Sequence, residues 1–417
     1  MKTFLKVIMI GLIVIIAGVI GITTYQFNTY KPQLVTQKVK SNNLKYFQES
    51  YNDCRTSFLA EANEIKRMYK DVELSNFKIE SKVDPDLTID YCYIPAQKTF
   101  GRLLVLTSGI HGIEGYVGSA VQQMFLKEVL NEISLDDLGL LLIHGINPYG
   151  FKYNRRVTEN NVDLNRNCLT EKALFESINS GYSDLNEMLN PTQKVNTKSI
   201  GNIFFQLDAI KKIMQYSMRI FRQAVLQGQY QYETGIFFGG KELEPSIKAV
   251  TPLIQDIAGN YTMVFNIDLH TGYGRRGTMH LFTKPMKDME KKEKIENIFS
   301  GIPIEWGNED DFYTVTGDFS TYVGQIIPDK HYLTMPFEFG TLDSQVTMGS
   351  IKSLHNVILE NQGVHFGYQS KEDEDDVKKR FLEGYYPSSI AWRSKAIMDA
   401  RKTLLQAIKK YQEIDKG

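Results

Sequence analysis

The 417 residues carry 48 Lys and Arg against 49 Asp and Glu, a formal charge of −1, with 42% hydrophobic and 23% charged residues. That balance argues against a disordered chain, and the absence of a basic excess argues against a nucleic-acid partner, since nothing in the composition neutralises phosphates. Cys54, Cys92 and Cys168 are scattered without CxxC spacing, which points to neither a disulfide framework nor a thiolate metal site.

Lys2 and Lys6 precede an uncharged apolar run through Ile22, and no charge follows until Lys31. The run is long enough to span roughly 30 Å of hydrocarbon. It is long for the apolar part of a signal peptide and no clear A-x-A site follows, so residues 1–30 read as an uncleaved signal-anchor. Lys31, Lys38 and Lys40 weaken the orientation bias. The expectation is a single-pass membrane protein with its bulk outside the cytoplasm, the alternative being secretion after signal cleavage.

Residues 41–71 place Tyr46, Phe47, Tyr51, Phe58, Leu59 and Ile65 at helical spacing, so residues 31–84 read as a helical lead-in. Residues 86–94 alternate as a strand, and 102–107 form a short apolar run that reads as a buried strand. A helix is expected over 116–129 and a second buried strand over 140–146, closed by the turn Asn147-Pro148-Tyr149-Gly150. Strand, helix, strand at these lengths predicts an α/β fold with a mixed, largely parallel central sheet and helices on both faces. Residues 174–232 read as a helical insertion. Further strands are expected at 263–269, 279–283 and 332–339, a charged surface helix or loop at 371–380, and a terminal amphipathic helix at 392–411.

The strand at 102–107 leads into Ser108-Gly109-Ile110-His111-Gly112-Ile113-Glu114-Gly115. The flanking glycines imply a tight turn from which His111 and Glu114 project together, close enough to hold one ion. Imidazole nitrogen and carboxylate oxygen are standard zinc ligands. HxxE alone occurs by chance, so its weight depends on three later stretches: residues 154–167 with Arg155, Arg156, Asp163, Asn165 and Arg166; Asp268-Leu269-His270-Thr271-Gly272; and Pro336-Phe337-Glu338-Phe339-Gly340-Thr341.

These four stretches, in this order, resemble the zinc carboxypeptidases of the carboxypeptidase A type, in the superfamily that includes succinylglutamate desuccinylase and aspartoacylase. Within it the chain is most similar to the bacterial branch called domain of unknown function 2817. The resemblance covers residues 103–341, with an echo at Tyr386-Pro387 and Trp392-Arg393. It implies a catalytic domain over 85–417 that holds one Zn(2+) ion through His111, Glu114 and His270. It further implies Glu338 as general base and Arg156 as the oxyanion-stabilising arginine, with adjacent Arg155 the alternative. Asn165 and Arg166 match the pair that grips a substrate carboxylate, and Tyr322 stands where a mobile tyrosine often covers the substrate. Asp268, two residues before His270, is suited to orient that ligand from behind. Asp163 is expected to order its loop. His144, His280, His331, His355 and His365 lack partner motifs and read as structural, His280 on the expected strand 279–283 being the one to check.

The implied activity is zinc-dependent cleavage of an amide bond next to a free carboxylate, by a carboxypeptidase or by an N-acyl amino acid deacylase. A non-catalytic binding protein on the same fold is the reading of a different class, and it predicts a lost ligand or base, of which none is missing. No residue matches the side-chain specificity position of the digestive carboxypeptidases, which leaves the substrate preference open.

Overall fold

Runs of Leu, Ile and Val without polar alternation belong to strands covered on both faces, and two such runs lie at the middle of the sheet beside a third strand in which buried Asn266, Asp268 and His270 alternate with apolar residues. The computed structural model describes residues 2–307 and 315–414. Its eight strands are β1 (Glu73–Lys78), β2 (Thr88–Ile94), β3 (Arg102–Ser108), β4 (Leu138–His144), β5 (Met263–Gly272), β6 (Met279–Thr283), β7 (Ile304–Trp306) and β8 (His331–Gly340). They lie in the order β1-β2-β4-β3-β5-β8-β6-β7. β4, β3, β5 and β8 run parallel, while β2 and β6 pair antiparallel with β4 and β8. Every residue of β3, β4 and β5 is buried, as the apolar runs predict.

One face packs against Tyr51–Met68, Gly115–Met124 and Ile390–Glu413, with Leu104, Leu106, Leu140, Phe265 and Ile267 turned toward them. The other face turns Leu103, Val105, Leu141 and Val264 toward Pro245–Gly259 and Phe319–Ile326. The chain leaves β3 through the helix Gly115–Met124 to reach β4 on one side, and later enters β5 on the other. Loops leaving the strand ends therefore diverge around β3, which opens a crevice at the carboxyl ends of β3, β5 and β8.

The insertion forms a further layer. Its helices Ser180–Leu189, Phe205–Tyr216 and Met218–Leu226 pack on Thr347–Phe366 through Tyr182, Leu185, Phe205, Phe221, Leu354 and Val357. Thr347–Phe366 has no legible apolar stripe because it is enclosed on most sides, and it buries His355, Asn356, Glu360, Asn361 and Gln362 along with Ile351 and Ile358. The lead-in contains the expected helix Tyr51–Met68 but also β1, whose largely exposed residues leave no alternation to read. The charged run after Ser370 is the helix Lys371–Tyr385, capped where the Ser370 hydroxyl accepts from the Asp373 amide. At the amino end, the helix Lys2–Asn28 is long and apolar enough to cross a membrane.

Candidate metal centre

The turn after β3 is built for close approach. Gly109 has φ +70°, which a residue with a side chain rarely adopts, and it swings the chain off the strand end. A Cβ on Gly112 would stand 2.1 Å from the backbone of Gly150, so only glycine lets the two turns meet. There the amides of Gly112 and Ile113 donate to the carbonyls of Arg156 and Arg155 at 3.0 and 2.9 Å. Two stretches separated by some forty residues of sequence are thus fixed side by side, and both carry site residues.

His111, Glu114 and His270 each offer a ligand atom, all within 4.8 Å of one another, and all three residues are buried. His270 closes on the cluster from β5: its Nδ1 lies 3.1 Å from Glu114 Oε2, and its Nε2 lies 2.8 Å from Asp268 Oδ2. Asp268 therefore stands behind His270, as strand alternation predicts. Burial by itself would lower the His270 pKa, but the Asp268 carboxylate lifts it well above the ordinary value. Burial would likewise raise Glu114, and the two imidazoles instead draw it well below the usual carboxylate range. His111 Nδ1 stands 2.9 Å from Glu114 Oε1 yet makes no hydrogen bond. A buried nitrogen facing a carboxylate with no proton shared between them is the arrangement a divalent cation completes, and this nitrogen–oxygen–nitrogen donor set is one that zinc accepts.

Asp163 has a larger part than ordering its loop. Its carboxylate caps the turn Leu164–Asn167 by accepting from the Asn165 amide, lies 3.2 Å from His111 Nε2, and accepts from Arg156 Nε at 3.0 Å. It backs His111 as Asp268 backs His270. Its position two residues before the Asn165-Arg166 pair was the available signal, but a capping aspartate and a ligand-orienting one look alike in sequence.

The two neighbouring arginines part company. Arg156 enters the cluster, 2.6 Å from His111 Nε2 and 3.3 Å from Glu114 Oε1. Arg155 turns the other way and donates to Glu360, Asn161 and Asn361, outside the cavity. The alternative that Arg155 faces the substrate is therefore not met by the geometry.

Glu338 stands opposite His270 in the parallel register of β5 and β8 and lines the same cavity. Its Oε2 is buried without a partner. Burial pushes its pKa up to about 8, with Glu114 adding to the rise and His270 and Arg156 opposing it. The flanking Phe337 and Phe339 point away into the core. Asn165 and Arg166 also line the cavity. Asn165 Oδ1 accepts from the Phe319 amide, while Arg166 donates to the Leu226 and Asn165 carbonyls and stacks 5.7 Å from the Phe237 ring. Tyr322 is elsewhere: its hydroxyl is 2.9 Å from Thr251 Oγ1, in the core between the sheet and Pro245–Gly259. The tyrosines that do line the cavity are Tyr273 and Tyr385, and Tyr385 immediately precedes the Tyr386-Pro387 echo. His280 pairs with Glu305 and accepts from the Arg275 amide at 2.9 Å.

The cavity encloses about 590 Å³ and takes in all three cluster residues, Glu338 and Arg156. Apolar side chains, among them Phe221, Phe237, Phe282, Trp306 and Leu354, make up much of its remaining wall.

A mixed α/β sheet with a His–Glu–His group able to hold a metal ion gathered at its strand ends defines the general class of this protein. The chain belongs to the family described as protein of unknown function (DUF2817), whose model matches residues 47–399. No curated protein matches it. Among solved structures it is similar to bovine thrombin-activatable fibrinolysis inhibitor in complex with tick carboxypeptidase inhibitor, at 14% identity over 77% of this chain and 98% of that one, with a TM-score of 0.43. Carboxypeptidase A from Helicoverpa armigera is similar at 11% identity over 81% and 74% of the two chains, TM-score 0.41. A Shewanella amazonensis SB2B protein, described as of the succinylglutamate desuccinylase / aspartoacylase family, is similar at 14% identity over 71% and 72%, TM-score 0.34.

Proposed function

We propose that the chain is a membrane-anchored, zinc-dependent hydrolase that cleaves an amide bond next to a free carboxylate, in the manner of a carboxypeptidase. The observation that carries this reading is the meeting of His111, Glu114 and His270 beside Glu338, whose buried Oε2 has no partner. His111, Glu114 and His270 hold the ion, with Asp163 and Asp268 fixing the two imidazoles from behind. When bound, zinc supplies a Lewis-acid centre that makes water acidic enough to lose a proton near neutral pH.

Glu338 takes the proton of the attacking water and delivers it to the leaving nitrogen. A carboxyl group whose pKa is raised by burial suits both halves of that transfer. Arg156 aims its guanidinium at the oxygen that gains charge as the carbonyl is attacked. Asn165 and Arg166 hold the free carboxylate, for which the planar fork of arginine is suited. The helix Lys2–Asn28 ties the enzyme to the membrane, with the catalytic part on the extracytoplasmic side.

Glu338→Gln keeps the shape of the side chain and removes the base. The expected result is retained zinc with hydrolysis slowed at least ~100-fold, the range for lost acid–base catalysis. An unchanged rate removes Glu338 from this role. Product analysis on a peptide series beside an N-acyl amino acid series assigns the substrate class.

A further inference from the structure

The apolar helix does not end in a slack tether. From Phe4 to Ile22 its large apolar side chains are exposed, yet Phe27 is fully buried. Five residues of helix separate Ile22 from Phe27, a rise of about 7.5 Å. Phe27 stacks on Phe205 at 6.3 Å, lies 5.4 Å from the His355 ring, and receives Lys352 Nζ at 4.5 Å from its centroid. Gln206 Nε2 donates to Thr24 Oγ1 at 2.7 Å, and Asn28 Nδ2 donates to the Ile203 carbonyl at 3.0 Å. Further on, the Tyr30 hydroxyl donates to the Leu342 carbonyl and the Gln33 amide to Asp343. The body is therefore fastened within about two turns of the last lipid-compatible residue.

The segment that receives the helix is residues 200–226, and its outer face is unusual. Ile200 is 79% exposed, Met214 is 83% exposed, and Phe204 and Ile220 are exposed as well. Single exposed apolar residues are ordinary, but here they sit on one segment at the point where the helix emerges. The same stretch carries Lys211, Lys212 and Arg219 against one acid, Asp208, while Arg222 turns to the cavity and the preceding Lys198 pairs with Glu372. Lys211 and Met214, three apart on one helix face, put a cation and an apolar side chain next to each other. Apolar residues among cations are what an anionic lipid surface accepts.

We propose that the outer face of residues 200–226 is a seat on an anionic bilayer, which holds the body down on the membrane from which the helix emerges. The proposal rests on the membrane-spanning reading of Lys2–Asn28. It has a consequence for the site, because Phe221, Val225 and Leu226 of this segment also wall the cavity. Met214 stands on Phe205–Tyr216 and the cavity residues on the next helix, Met218–Leu226, so bilayer contact at the seat reaches the cavity through a neighbouring helix.

The test uses the full chain in vesicles of phosphatidylcholine with about 30% phosphatidylglycerol, in parallel sets carrying a nitroxide quencher at headgroup depth or near the end of the acyl chain. Cys54, Cys92 and Cys168 are buried, so a fluorophore attaches to a single added cysteine: V14C in the span, I200C and M214C on the seat, or M68C on the helix that covers the sheet. The expected result is strong quenching at V14C by the acyl-chain quencher and, by the headgroup quencher, at least about twofold more quenching at I200C and M214C than at M68C, with the M214C signal reduced in phosphatidylcholine alone. Quenching at V14C with M214C no different from M68C overturns the seat and leaves the span. An unquenched V14C overturns the span itself, and the seat with it.

Discussion

Two buried polar regions meet at the stretch Arg155-Arg156, and they differ in kind. On one side Arg155 donates to Glu360, Asn161 and Asn361, so the guanidinium is surrounded by acceptors. On the other, Arg156 enters a group of ionisable side chains in which His111 Nδ1 and Glu338 Oε2 have no hydrogen-bond partner. A buried polar group without a partner costs free energy, so such atoms are rare unless something absent from the bare chain satisfies them. The satisfied network behaves as scaffold, tying the loop to Thr347–Phe366. The unsatisfied one converges on a single point, and that convergence marks a site.

The largest effect expected from this contrast is on catalysis. Arg156→Ala should reduce kcat by about 100- to 1000-fold, as for loss of one oxyanion donor, and should also lower the melting temperature, because it leaves the buried Asp163 carboxylate without its guanidinium. Steady-state kinetics beside a thermal melt check both halves. Arg155→Ala should cost stability alone. Removing it leaves the Glu360 carboxylate buried without its cation, a loss of about 3–5 kcal/mol by denaturant titration, with activity per folded molecule retained. If the two variants swapped phenotypes, the division into scaffold and site would be wrong.

Zinc should act on the unsatisfied region alone. At a thousandfold excess over its Kd, a ligand that binds only the folded state stabilises it by about 4 kcal/mol. Wild type should show that rise in thermal melts, and His270→Ala should not. A smaller effect concerns histidines remote from the site. Burial holds the His144 pKa down near 3, and it holds His355 well below the ordinary value. Below the unfolded pKa of about 6.5 the unfolded chain takes up protons that the folded chain refuses, so stability must fall as pH drops from there toward 3. The slope approaches about 1.4 kcal/mol per pH unit for each histidine, and His144→Gln should flatten it in denaturant titrations across pH 4–7. The smallest effect is expected from Tyr322→Phe, whose hydroxyl meets Thr251 in the core, so hydrolysis should change less than about twofold.

Much of this was legible in the sequence where period and punctuation coincide. The apolar runs of β3 and β4 read as doubly covered strands, and the glycines at 109 and 112 marked the turn that brings His111 and Glu114 together. His270 and Glu338 were placed by their motifs, and the register of β5 against β8 puts them opposite each other. Sequence was silent where a residue's meaning depends on direction. Arg155 and Arg156 are chemically identical until the backbone assigns each a side. Asp163 reads as a loop cap and proves to touch His111 Nε2 as well. Tyr322 resembles a substrate-facing tyrosine only by its position in the chain, whereas Tyr385 reaches the cavity from a helix whose sequence advertises only charge. Thr347–Phe366 escaped notice because burial on most sides erases the amphipathic period.

The most direct test of the central claim is the zinc content of purified full-length protein, measured after exhaustive removal of loosely bound metal. One zinc per chain is predicted for wild type and for Glu338→Gln, with loss of the ion in His111→Ala, Glu114→Ala and His270→Ala. A wild-type chain that binds no zinc, or ligand variants that keep it in full, would contradict the account.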